Sequence, residues 1–255
     1  MNRKIIDVAH KFRNHYFPDS LVAFLAGSFI RGEATKYSDL DIVIIYQKLP
    51  NAYRESFQFE GFPVEAFVHD NETLNYFFAR VDGPSGIPAL PQMISEGIEI
   101  PGPTQFSREL KALSNAFMDA GPIPWTSEEN RVVRYGITDI LDDMRDPLSN
   151  AELLASASQL YPMLADYYLR SNGFWSAKGK SIPRTLKRES PEMSSMFIEA
   201  FDQLFKKGDA SIVIDLAEKL LLPDGGLVFA GDKRDAPAEW RKKPLDSQDN
   251  KNQNK

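Results

Sequence analysis

The sequence predicts an α/β (α+β) domain built on a small mixed sheet, followed by an all-α helical-bundle domain. Three observations carry this. Strand-like apolar runs crowd into the first 70 residues, as in "LVAFLAG" and "LDIVIIY". A glycine- and proline-rich connection, "GPSGIPALPQMISEGIEIPGP", follows over 83–104. Beyond it, helix-capping signatures dominate.

The elements follow in order. Ile5, Ile6, Val8, Ala9, Phe12 and Tyr16 recur at helical spacing, so residues 3–16 read as an amphipathic helix. "LVAFLAG" (21–27) is a short apolar run ending in glycine and reads as a buried strand. A turn leads from it into a strand over 40–46. In "ESFQFEGFPVEAFVHD", Phe57 and Phe59, then Val64, Ala66 and Val68, alternate around Gly61 and Pro63, which predicts a further strand pair. Residues 71–82 read as helical. The connection 83–104 is expected to be irregular, with one short helix near 89–95.

Past 125 the pattern changes. Thr126 with Glu129, and Ser149 with Glu152, stand in capping-box spacing ahead of long helices. Pro162 is expected to kink the second of these. Ser190 as cap, Pro191 at the first helical position and Gly208 past the end frame another helix, and "DASIVIDLAEKLLLP" completes the run. "GGLVFAG" is the one strand-like stretch here. The domains are drawn at 1–105 and 106–231, with 232–255 a polar tail expected to be disordered.

Composition narrows the function classes. The 255 residues carry a formal charge of −6, with 42% hydrophobic and 11% aromatic content. That acidity argues against binding long nucleic acid through a broad basic surface. Without cysteine there are no disulfides and no thiolate metal sites. The N-terminus lacks the apolar core of a signal peptide, and no run approaches the ~18 apolar residues of a membrane helix. A cytoplasmic protein with no membrane partner, as a monomer or homodimer, is expected.

Chemistry concentrates in "LAGSFIRGEATKYSDLDIVIIY" (25–46). Asp39 and Asp41 are two apart in an apolar strand, so their side chains share a face and repel unless a cation lies between them. Glu65, in "PVEAFVHD", is a third carboxylate in a similar apolar setting. Three such acids suit a clamp for two Mg²⁺ ions, which bridge a triphosphate and stabilise leaving pyrophosphate. Gly27 and Ser28 follow a strand directly, where backbone N–H groups and a hydroxyl can hold phosphate oxygens. Arg31 adds a cation, and Ser38 stands just before the acids.

This arrangement resembles the signature of the DNA polymerase β-like nucleotidyltransferases: glycine-serine, then ten residues, then aspartate-apolar-aspartate-apolar, with a later apolar-Glu-apolar as at Glu65. The resemblance covers residues 25 to 68. Length and helical second half are similar to kanamycin nucleotidyltransferase-type antibiotic adenylyltransferases. It implies that Ser28, Arg31 and Ser38 surround the phosphates and that Asp39, Asp41 and Glu65 hold metal. The kanamycin enzyme differs in having glutamate where Asp41 stands.

Two further clusters gain meaning from that resemblance. "FWSAKGKSIPRTLKR" (174–188) gathers Lys178, Lys180, Arg184, Lys187 and Arg188 beside Trp175. Related enzymes carry an aromatic, a glycine and a lysine there, which assigns Lys180 to the triphosphate; the alternative is a solvated basic loop. Asp139, Asp142 and Asp143 lie away from the apolar stripe Val133, Ile137, Ile140, Leu141 and Met144. They read as a solvated face, while the resemblance places a general base at Asp142. The histidines His10, His15 and His69 show no ligand spacing and read as structural or exposed. The implied activity is Mg²⁺-dependent transfer of NMP, as AMP from ATP, to a hydroxyl of a small acceptor such as an antibiotic. Two rivals are a nucleotide-binding regulator without turnover and an enzyme that adenylylates a protein partner.

Overall fold

The computed structural model describes residues 3–241. Its N-terminal half is a five-stranded mixed sheet in the order β3-β4-β2-β1-β5. The strands are β1 (Val22–Ala26), β2 (Leu40–Tyr46), β3 (Tyr53–Phe59), β4 (Phe62–Asp70) and β5 (Ile98–Ile100). Only β2 and β4 run parallel; the other neighbours are antiparallel. The central strands β1 and β2 are apolar almost throughout because both of their faces are covered.

One face is covered by α1 (Arg3–Tyr16), whose Ile5, Val8, Ala9 and Phe12 pack with Leu25, Ile42, Ile44 and Ala66. Under the other, Phe24, Val43 and Ile45 meet Leu74 of α2 (Asn71–Phe77), Ile94 of α4 (Ala89–Glu96) and Leu110 of α5 (Gln105–Ala120). A single π turn, Phe78–Asp82, and one α turn, α3 (Gly83–Ser85), follow α2. The β3–β4 hairpin closes through Glu60 and Gly61, both at positive φ (45° and 82°), the geometry of a two-residue type I′ turn.

Two parts of this half depart from the sequence reading. The connection 83–104 contains β5, which pairs Ala23 with Ile100 and Leu25 with Ile98 at the sheet edge. Three residues are too few to show a strand period. Helix α5, beyond residue 105, is capped by a reciprocal Thr104–Ser107 box and packs under the same sheet.

The remaining helices are α6 (Ser127–Arg145), α7 (Asn150–Ser171), α8 (Ser181–Glu189), α9 (Pro191–Lys207) and α10 (Ser211–Leu221). They close on their own core, including Ile137, Leu141, Leu160, Leu164, Phe197, Phe201 and Val213. Thr126 forms the reciprocal box with Glu129; Ser149 and Ser190 cap their helices, with Glu152 accepting from Leu148 N–H instead of that of Ser149, and Gly208 ends α9 at φ 71°. Pro162 lies inside an α7 that runs from 150 to 171. "GGLVFAG" forms no strand. It lies over α6, held by Arg134 to the Gly226 carbonyl (2.7 Å) and by Val228 N–H to Thr138 Oγ1 (3.0 Å). Of the tail, Asp232 pairs with Arg131 and Arg234, and residues 242–255 lie outside the described residues.

Candidate active site

The site grows from the end of β1. Gly27 sits at φ 76°, a left-handed conformation that disfavours any side chain. Its neighbour across the sheet makes the constraint tighter. Ala26 pairs with Asp41, and a Cβ at position 27 would overlap Asp41 Oδ2 and lie 2.7 Å from Cγ. The chain then turns tightly, with the N–H groups of Ile30 and Arg31 bonded to the Gly27 carbonyl and Glu33 N–H to that of Ser28. Ser38 ends the loop. Its hydroxyl accepts from Thr35 N–H at 2.9 Å and its own N–H donates to the Thr35 carbonyl, which fixes the entry of Asp39 and β2.

Asp41 and Glu65 are direct partners in the parallel β2–β4 pair, and Asp39 precedes β2 by one residue. One oxygen from each of the three carboxylates lies within 4.8 Å of the others. Burial pushes the Asp41 carboxyl up to about 6, and the charges of Asp39 and Glu65 push it the same way, against Arg31 and Lys180. Nearby cations on the protein therefore do not neutralise the cluster; Arg54 reaches Glu65 at 3.5 Å from the exposed side. Three converging oxygen donors under mutual repulsion fit a hard divalent cation.

Of these acids, Asp41 lines a cleft of about 350 Å³ between the two halves. Gly27, Arg31, Glu33 and Asp41 contribute from the sheet side. Lys178, Ser181, Arg184 and Arg188 contribute from the helical side. Apolar surface comes from Phe67, Ile87, Met93, Met118 and Trp175. The halves are stitched around it: Trp175 stacks on Phe117 (5.3 Å between rings) and donates to the Met118 carbonyl, and Ser176 N–H donates to the Gly86 carbonyl (both 2.8 Å).

The structure thus brings Asp39, Asp41, Glu65, Gly27 and Arg31 together with the basic segment. Ser28 and Ser38 are buried beside the acids, and the Ser38 hydroxyl is engaged within its own loop. Lys180 is exposed just ahead of α8, with its charge felt at Asp41. The cations that line the cleft from the helical side are Lys178, Arg184 and Arg188. His69 is buried edge-on against Phe77, and burial lowers its pKa to about 4, so it belongs to the core as a neutral ring.

Asp142 lies away from this cleft. It is exposed, pairs with Arg145, and borders a separate depression with Arg131, Arg134 and Phe229. Asp139 and Asp143 are also exposed, and none of the three lines the cleft. All three sit on α6, whereas the helical wall of the cleft is built from 175–188. The carboxylate that does lie behind this wall is Asp166 of α7, which the sequence reading passed over. Burial raises its pKa, while a bond from the Ser176 hydroxyl and the charges of Arg170 and Lys178 oppose the rise. The available signal was an aspartate between Ala165 and Tyr167, both buried.

The family match agrees with the geometry of the three acids. Residues 8–76 match the family model described as a nucleotidyltransferase domain, of the polymerase β-like superfamily, and that segment spans β1 through β4 with all three carboxylates. Among solved structures, the chain is similar to a nucleotidyltransferase-like protein from Exiguobacterium sibiricum 255-15. The identity is 12%, the TM-score 0.44, and the match covers 86% of this chain and 75% of that one. A search of curated proteins finds no match.

Proposed function

We propose that this chain, whose residues 8–76 are a nucleotidyltransferase domain, moves NMP from an NTP to a hydroxyl of a small acceptor and releases pyrophosphate. ATP is the proposed donor and Mg²⁺ the proposed metal. The observation that carries this reading is the convergence of Asp39 and Glu65 on Asp41, which lines a cleft whose opposite wall is cationic. A pocket of acids alone would repel a triphosphate of charge near −4. Lys178, Arg184 and Arg188 offset that repulsion from the far side, and Arg31 offsets it from beside the acids.

Asp39, Asp41 and Glu65 would hold the ions, which when bound would supply Lewis-acid charge to the α-phosphate and to the attacking oxygen. The acceptor oxygen forms its bond to the α-phosphorus as the bond to the bridging oxygen breaks, and the pyrophosphate leaves toward the basic wall. Lys180, whose charge reaches Asp41, is the cation proposed to follow it. Asp166, through Ser176 at the cleft wall, is the carboxylate best situated to receive the acceptor's proton. The helical wall itself presents cations and apolar groups, which favours a neutral or anionic acceptor over a polycationic aminoglycoside.

The test is incubation with each labelled NTP, Mg²⁺ and a panel of aminoglycoside, lincosamide, polyol and sugar-phosphate acceptors, with mass spectrometry of the products. A product heavier by one NMP, absent with Asp39→Asn, is expected. Binding of NTP without any transfer, to these acceptors or to a protein, would favour a regulatory role.

A further inference from the structure

Glu33 occupies an unusual place in the cleft. Its Oε2 accepts from Arg31 Nε at 3.2 Å and from Arg184 Nη1 at 3.0 Å. Arg31 belongs to the turn after β1, Arg184 to α8, and all three side chains line the cleft. Arg31 also pairs with Glu96 at the end of α4. Glu33 is therefore the one carboxylate, among the described residues, that bridges an arginine of the sheet half to an arginine of the helical half. The three side chains are each about a third exposed (29–34%), so these pairs are partly shielded from water.

Two guanidinium groups converging on one anionic oxygen match what a phosphate oxygen would meet. Each guanidinium has a limited set of donors, and those aimed at Glu33 are unavailable to a ligand while that pairing lasts. Coulombic repulsion adds to this, because a triphosphate entering beside Glu33 meets a fixed negative charge at short range.

We propose that Arg31 and Arg184 form a single phosphate clamp spanning the two halves, and that Glu33 occupies it until a triphosphate displaces it. The inference rests on the reading of the cleft as a nucleotide site, and it adds a residue that opposes nucleotide binding. Displacement leaves Glu33 free of Arg184, so the contact joining the loop after β1 to α8 is exchanged for one through the ligand. Nucleotide entry is thereby coupled to how the halves are held.

The experiment measures the dissociation constants of MgATP and of inorganic tripolyphosphate by calorimetry on the full chain, for wild type, Glu33→Gln, Arg184→Gln and the double variant. Melting temperatures verify that each is folded. Glu33→Gln should bind both ligands about three- to tenfold tighter, the range expected for removing a partly exposed competing pair. Arg184→Gln should bind about tenfold more weakly. In the double variant the gain from Glu33→Gln should shrink to half or less, because one of the two clamped arginines is gone. Equal or weaker binding by Glu33→Gln overturns the proposal and makes Glu33 a helper of the ligand or a bystander. So does a gain that persists undiminished without Arg184. If wild type and Glu33→Gln both fail to bind either ligand, the nucleotide reading falls and the clamp with it. Binding by wild type with no gain in Glu33→Gln leaves that reading standing and removes only the clamp.

Discussion

Replacing Asp41 by asparagine should stabilise the metal-free protein while destroying its metal site. Burial and the neighbouring Asp39 and Glu65 lift the Asp41 carboxyl from its ordinary 3.8 to about 6. The native state therefore holds a proton there more tightly than the unfolded chain does. The stability this group contributes is highest below about pH 4, falls as pH rises toward 6, and stays lower above that. A rise of that size corresponds to a penalty of about 3 kcal/mol at neutral pH. Partial solvent exposure and the hydrogen-bonding needs of a buried amide reduce the expected gain to about 1–2 kcal/mol. For a chain of this length that is about 2–8 °C in melting temperature. The assay is thermal unfolding in chelator at pH 7.5 and at pH 4.5, then with Mg²⁺. At pH 7.5 without metal the variant should melt higher. At pH 4.5 most of its advantage should vanish, because wild-type Asp41 is then protonated. Mg²⁺ should stabilise wild type and do little for the variant. An advantage of equal size at both pH values, or none at pH 7.5, would refute the electrostatic account of the three acids.

Other outcomes follow from the same geometry. Asp39→Asn and Asp41→Asn should each abolish transfer in the labelled-NTP assay, while Glu65→Gln, already within reach of Arg54, should retain more activity; a tenth of wild-type turnover surviving in either aspartate variant sinks the metal assignment. Gly27→Ala should cost at least ~2 kcal/mol by chemical denaturation and reduce Mg²⁺ affinity, since the new methyl must both adopt positive φ and push Asp41 aside. Asp166→Asn should lower turnover about 10²-fold or more with MgATP affinity nearly unchanged, whereas Asp142→Asn should leave both near wild type; the reverse pattern would restore the base to α6. Lys180→Ala should weaken MgATP binding and slow transfer together, at a cost of ~1.5–3 kcal/mol, and Lys187→Ala should do little by the same measurements.

Which parts of this structure were legible in the sequence depends on how local their causes are. Helix α1 and strand β2 read correctly to the residue, because an apolar face at period 3.6 and a buried run at the sheet centre are written in consecutive side chains. The three carboxylates were legible because strand periodicity and parallel register alone bring them together. The edge strand β5 was not, since its identity lies in pairing with β1 rather than in its three residues. The position of the α6 aspartates relative to the cleft was hidden for a related reason. Choosing among Asp139, Asp142 and Asp143 assumed that α6 faces the cleft, and the facing of a helix across two halves is set by tertiary packing. Asp166 stands between apolar neighbours in the sequence, and its nearness to Ser176 and Lys178 comes only from tertiary packing.

That same packing sets how the charges of the two halves face each other. The sheet half supplies acids it cannot neutralise, and the helical half supplies cations in an otherwise acidic chain. Helix α5 is the physical joint: Leu110 is buried beneath the sheet, while Phe117, two turns further along the same face, stacks against Trp175 at the start of the basic segment. A rigid helix anchored at both ends fixes the distance across which the two charge sets face each other. Because α5 packs beneath the same face of the sheet that bears Asp41, a disturbance at Trp175 should be felt at the acids through contacts that include no ligand. The separation of opposite charges is thus set by apolar packing, and Glu33 with its two arginines is the only ion-paired bridge, among the described residues lining the cleft, that reinforces it.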